Sequence, residues 1–175
     1  RSIDTFEDDT ITTVGVSAFN FCDQLTRVTL PNVTSIGDSA FRNCTVLADI
    51  SAPNVTSIGS NAFRDCTSLT DVSLPYVTNI GGNSFQYCTS LANVYIPIVT
   101  SIGAIAFRKC WPLTHISIPN VTSIGNEMFY DCYNLKSVTA PHITTIGQSA
   151  FYGCKKLTDI TLSDVITINA QAFYN

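Results

Sequence analysis

Phenylalanine stands at positions 19, 41, 63, 85, 107, 129, 151 and 173, every interval being 22 residues. Cysteine follows three residues after the first seven of these, from Cys22 to Cys154, and leucine three residues after each cysteine, from Leu25 to Leu157. Proline recurs at 31, 53, 75, 97, 119 and 141, and glycine from Gly15 to Gly147, with the same period and no insertion. A unit of this length cannot bury its own apolar face, so like phases must stack on like phases in a solenoid. Leu25 opens six full units that run to Lys156, a partial unit fills 157–175, and a degenerate unit occupies 1–24. The expectation is one solenoid over 1–175, a right-handed coil of about eight turns with no linker or second domain.

Each phase predicts a piece of the coil. Leu47, Ile50 and Ala52 end in period-2 alternation, which predicts a short parallel strand with Asp49 and Ser51 outward. Pro53 cannot donate to a ladder and should end that strand. Val55 to Ile58 reads as a second short strand, with Thr56 and Ser57 starting hydroxyl ladders. Gly59 marks another turn, expected at positive φ. The spacing of Ala62, Phe63 and Cys66 predicts one or two helical turns facing the core. At the first coil Asp8 and Asp9 replace the leucine and proline phases, which suits a polar cap. At the other end Asn169 replaces glycine and the sequence stops just before the next cysteine, as expected of a fragment of a longer protein.

The pattern L-x-x-[IV]-x-[LIA]-P…V-T-S-I-G-x-x-A-F-x-x-C, carried in register by Phe41, Cys44, Leu47, Ile50, Pro53, Ile58 and Gly59, resembles the BspA-like leucine-rich repeats. The usual unit of that family has one residue more, between the Pro31-type proline and the Val33-type valine, so the turn here should be tighter. The resemblance implies a cell-surface or secreted protein engaged in adhesion.

Charge and chemistry narrow the function classes. Nine Lys and Arg stand against thirteen Asp and Glu, which disfavours nucleic acid, because phosphate backbones need clustered cations. No stretch approaches the roughly 20 apolar residues that span a bilayer, so no direct membrane insertion is expected. Serine and threonine together number 39, coating the surface with hydroxyls. The seven cysteines share one phase, which predicts buried free thiols without disulfides; zinc would require closely spaced ligand pairs. His115 and His142 occupy different phases with no matching nucleophile or carboxylate, and the single recurring glycine is not a phosphate loop. No catalytic residue, metal or cofactor is expected. Asn32, Asn54 and Asn120 in N-V-T, and Asn43 in N-C-T, are formal glycosylation acceptors that the consensus generates by itself.

Partner recognition should lie where outward phases break the repeat. After cysteine, Thr45, Thr67 and Thr89 give way to Trp111, Tyr133 and Lys155; after phenylalanine, Arg42, Arg64, Gln86 and Arg108 give way to Tyr130, Tyr152 and Tyr174. Stacking should align Trp111, Tyr130, Tyr133 and Tyr152 beside Arg108 and Lys155, a composition that suits a protein or glycan ligand. A second cluster on the outward strand face consists of Tyr95 and His115 near Asp71 and Asn93, flanked by Tyr76 and Ile98. Two classes of function follow: a non-catalytic binding module of an adhesin, or a structural spacer or assembly element, such as a virion or phage tail protein.

Overall fold

The computed structural model describes residues 3–174. Among the described residues, sixteen short strands form two columns. The odd-numbered strands open each coil: β1 (Thr5–Glu7), β3 (Arg27–Thr29), β5 (Asp49–Ser51), β7 (Asp71–Ser73), β9 (Asn93–Tyr95), β11 (His115–Ser117), β13 (Ser137–Thr139) and β15 (Asp159–Ile160). The even-numbered strands follow the proline turns: β2 (Thr13–Val14), β4 (Ser35–Ile36), β6 (Ser57–Ile58), β8 (Asn79–Ile80), β10 (Ser101–Ile102), β12 (Ser123–Ile124), β14 (Thr145–Ile146) and β16 (Thr167–Ile168). All pairing is parallel and advances by one repeat, as in Val28 against Ile50 or Ile58 against Ile80. The first column is interrupted between β5 and β7 and between β9 and β11; the second is interrupted only between β10 and β12. Seven steps separate eight coils, and the first and last are partial, so the chain completes about seven turns rather than the expected eight.

The third side of each coil corrects another expectation: there is no helix among the described residues. In the coil of Phe41, Ala40, Arg42 and Cys44 donate their N–H groups to carbonyls three residues back, at 3.1 to 3.2 Å. Ser39, Phe41 and Asn43 instead donate to the next coil, at 2.8 to 2.9 Å. Alternate amides therefore bind within and between coils, which a helix, with every N–H turned inward along its own axis, cannot do. The chain achieves the alternation by placing Ser39 (φ 55°) and Asn43 (φ 60°) in the left-handed region. Among the described residues both phases repeat this conformation, even where Ile105 (φ 67°) meets it with a β-branched side chain.

The glycine phase is not the source of positive φ; only Gly153 has it. Glycine is required by close approach instead. A Cβ on Gly59 would lie 2.5 Å from the Asp38 nitrogen of the preceding coil, whereas one on Gly15, in the first described coil, would meet nothing within 4 Å. At the first coil Asp8 replaces the proline turn by accepting from Thr10 N, Thr10 Oγ1 and Ile11 N at 2.7, 2.7 and 3.0 Å.

The core is one continuous cluster from Val14 to Ala172. From Phe19 to Phe173 the rings stack at centroid distances of 5.0 to 5.7 Å, within 12° of parallel. Leucine, valine and isoleucine phases fill the remaining space between the strand columns and the turn column.

Candidate functional site

Of the residues that follow the phenylalanines along the turn column, Arg42, Arg64, Arg108, Tyr130 and Tyr152 lie half-buried, Gln86 is buried and Tyr174 is exposed. In the C-terminal half the Arg108 guanidinium lies 4.6 Å above the Tyr130 ring and pairs with Glu127 at 2.6 Å. Tyr130 stacks on Tyr152 at 4.6 Å and Tyr152 on Tyr174 at 5.1 Å. The ring faces thus cover one another, which leaves ring edges and phenol groups to the outside. Desolvation first, and then the negative charge of Asp131, holds the Tyr130 phenol above its ordinary range.

Of the residues that follow the cysteines, Asp23, Thr45, Trp111, Tyr133 and Lys155 are exposed, and Thr67 and Thr89 half-buried. Thr67 Oγ1 donates to the Thr45 carbonyl at 3.0 Å, forming a hydroxyl ladder that ends where Trp111 replaces threonine. Trp111 is 42% exposed and Tyr133 38%. The Lys155 ammonium sits 5.8 Å from the Tyr133 ring, and Asn134 Nδ2 donates to the Trp111 carbonyl at 2.9 Å. Lys156 Nζ in turn donates to Asn134 Oδ1 at 2.7 Å. Tyr133 is raised by desolvation first, then by the Asp131 charge and a hydrogen bond to it. Trp111, Tyr133 and Lys155 therefore occupy one column beside the Arg108–Tyr130–Tyr152 column.

The second cluster lies on the other strand side. Tyr95, 58% exposed, and His115 line a shallow depression of about 280 Å³ with Asp71, Asn93 and Thr114. Thr70 Oγ1 and Asn93 Nδ2 each donate to Asp71 at 2.6 Å and lower its pKa in that order. His115 Nδ1 lies 2.8 Å from Thr114 Oγ1. Tyr76 and Ile98 are exposed at the turn and do not line the depression. The two clusters are thus separate surfaces, one on the turn column and one on the strand face.

The model of the BspA type leucine rich repeat region matches in six copies, over residues 4–111 and 100–175. The chain belongs to the BspA-type leucine-rich-repeat family. Its fold is similar to that of a T. pallidum leucine-rich repeat protein, with 35% identity over 85% of this chain and 72% of that one and a TM-score of 0.80. A leucine-rich repeat protein from Bacteroides ovatus shares the fold at 22% identity and a TM-score of 0.53, over 91% of this chain and 57% of that one. No match was found among curated proteins. Leucine-rich repeats of this kind are typically non-enzymatic binding scaffolds, and no helix among the described residues is long and apolar enough to cross a membrane.

Two recurrent groups of this BspA-type solenoid have structural partners. Six cysteines, from Cys44 to Cys154, donate their thiols to the phenylalanine carbonyl of the preceding coil at 3.0 to 3.3 Å. All seven cysteines are free. The amides of Asn32, Asn54 and Asn120 donate across the proline turn to Asp9, Pro31 and Pro97 carbonyls at 2.7, 2.7 and 3.4 Å. The same amides that would accept a glycan thus tie successive coils together, and Nδ2 of Asn43 is buried. Sequence reasoning singled out Arg108 but missed Glu127, its ion-pair partner, and Asp131, whose charge acts on Tyr130 and Tyr133; Glu127 was visible as the one acidic residue in a phase that otherwise holds Ser, Asn, Ile and Gln.

Proposed function

We propose that the chain is a binding module of a cell-surface or secreted adhesin, with a protein as its principal ligand on the turn edge of the C-terminal half. The observation that carries this reading is the pairing of exposed Trp111 and Tyr133 with the braced Arg108–Tyr130–Tyr152 column, in the half of the array where the hydroxyl ladder stops. Large aromatics and arginine held rigid at low entropic cost are what interface anchors require. Surface location is supported by family membership.

A glycan ligand is the second reading, favoured by the strand-face depression, where an exposed Tyr95 ring adjoins Asp71, Asn93 and His115. Such a group offers an apolar face and polar groups that can bond to sugar hydroxyls. The covered faces of Tyr130 and Tyr152 make the turn edge the poorer sugar platform. Protein and glycan arrays probed with the chain and with a Tyr95→Ser, His115→Ser variant separate the two. Protein binding that survives the variant supports the turn edge. Glycan binding lost in the variant assigns the site to the strand face, and silence on both arrays favours a spacer.

A further inference from the structure

One step in the stack differs from the other six. Elsewhere the N–H of the glycine phase, or of Asn169 in the last coil, donates to the preceding coil's isoleucine-phase carbonyl at 2.8 to 2.9 Å, as Gly103 does to Ile80 and Gly147 to Ile124. The threonine phase does the same, as Thr100 does to Thr78 and Thr144 to Thr122 at 2.8 to 2.9 Å. Gly125 and Thr122 make neither bond to the coil before them. This is also the one step, among the described residues, at which both strand columns are unpaired, β9 from β11 and β10 from β12. Phe107 and Phe129 are the most widely spaced of the stacked rings, at 5.7 Å. A depression of about 190 Å³ lies in the gap, lined by Ile102, Thr122 and Gly125 among others, and Ile102 is 8% exposed where Ile80 and Ile124 are closed to solvent.

Met128 supplies the cause on the second column. The phase it occupies is otherwise alanine or serine, yet Met128 is fully buried, with its terminal methyl 3.6 Å from the position of a Cβ on Gly125. Three extra heavy atoms lie between two coils of an interior that has no spare volume, so the backbone must give way. It gives way at Gly125, where a Cβ would stand 3.2 Å from Ala104, against 2.5 Å from the preceding coil at Gly81.

The turn side of the same step holds. Ile105, Phe107 and Lys109 donate to Asn126, Met128 and Tyr130 carbonyls at 2.9, 3.0 and 2.8 Å. The Arg108–Glu127 pair and the Arg108–Tyr130 contact brace the same edge.

We propose that Met128 makes this step a hinge, about which the two halves of the solenoid rock on the turn column as axis. The strand face opens and closes between Tyr95 and His115 while the aromatic edge stays fixed. The array can then adjust its curvature without disturbing the surface to which ligand binding is assigned above; the hinge itself needs no ligand and stands apart from that reading.

Hydrogen exchange of the whole chain, read by NMR at single amides, tests the hinge. The amides of Thr122 and Gly125 should exchange on the order of 100-fold faster than those of Thr100, Gly103, Thr144 and Gly147, with Phe107 as well protected as Phe85. Met128→Ala should return Thr122 and Gly125 to the protection of their neighbours. The reciprocal Ala106→Met should create a second fast site at Gly103. Equal protection along the column in the unaltered chain overturns the hinge, and so does an Ala106→Met protein in which Gly103 stays protected.

Discussion

Each cysteine from Cys44 to Cys154 does two things at its position: the side chain fills core space, and the thiol satisfies a phenylalanine carbonyl of the coil before it. Desolvation pushes the Cys44 and Cys154 thiols up to about 12, and holds those of Cys66, Cys88, Cys110 and Cys132 well above their ordinary value. An unfolded thiol loses its proton near pH 8.5 while the folded one keeps it, so the unfolded state binds fewer protons over that window. Stability should therefore be level below about pH 8 and fall as pH rises from about 8.5 toward 12, which thermal melts across that range would show. A melting temperature that stays constant through pH 10 would contradict the burial of these thiols. The cysteine period was legible in the sequence, and so were the free state of all seven and the burial of all but Cys22, which is only partly buried. The carbonyl partner was not, because it lies 25 residues away and depends on where the turn aims the backbone oxygen.

At the scale of the coil, the strands could be read from alternation and proline, but the turn could not. Ala62, Phe63 and Cys66 have helical spacing, yet two left-handed residues per coil turn alternate amides toward the next coil. Side-chain periodicity reports which residues face inward and is silent on where the N–H groups go. Glycine was misread for a related reason: its period was plain, but the need is set by the preceding coil's backbone rather than by its own dihedrals. This makes a contrast between two otherwise equivalent sites. Gly59→Ala places a methyl against Asp38 and should cost roughly 1–3 kcal/mol, as overpacking does. Gly15→Ala meets open space and should leave stability unchanged within about 0.5 kcal/mol. Urea denaturation of both variants checks the order; equal losses would return the explanation to the dihedral preference of glycine.

For the whole molecule, stability should be shared between neighbours, since each phenylalanine in the middle is stacked on both sides and the last on one. Phe85→Ala should cost about 3–5 kcal/mol, whereas Phe173→Ala, already a third exposed, should cost far less in the same denaturation experiment. The stack was legible because its phases are identical; the candidate site was legible only as departures from them. Sequence reasoning found Trp111, Tyr133 and Tyr95 that way, and it could place the tyrosines in columns. It could not show that Tyr130 and Tyr152 cover each other's faces, which depends on side-chain rotamers. Those two serve the edge as braces, so the binding claim rests on the more exposed Trp111 and Tyr133. Trp111→Thr with Tyr133→Thr restores the residue of the same phase in earlier coils, where Thr67 and Thr89 already fit the hydroxyl ladder. Affinity for the captured protein partner, measured beside the melting temperature, is the direct test. The account predicts binding reduced at least about 100-fold, as loss of two anchors would give, with melting shifted by no more than a few degrees. Undiminished binding at unchanged stability would contradict it.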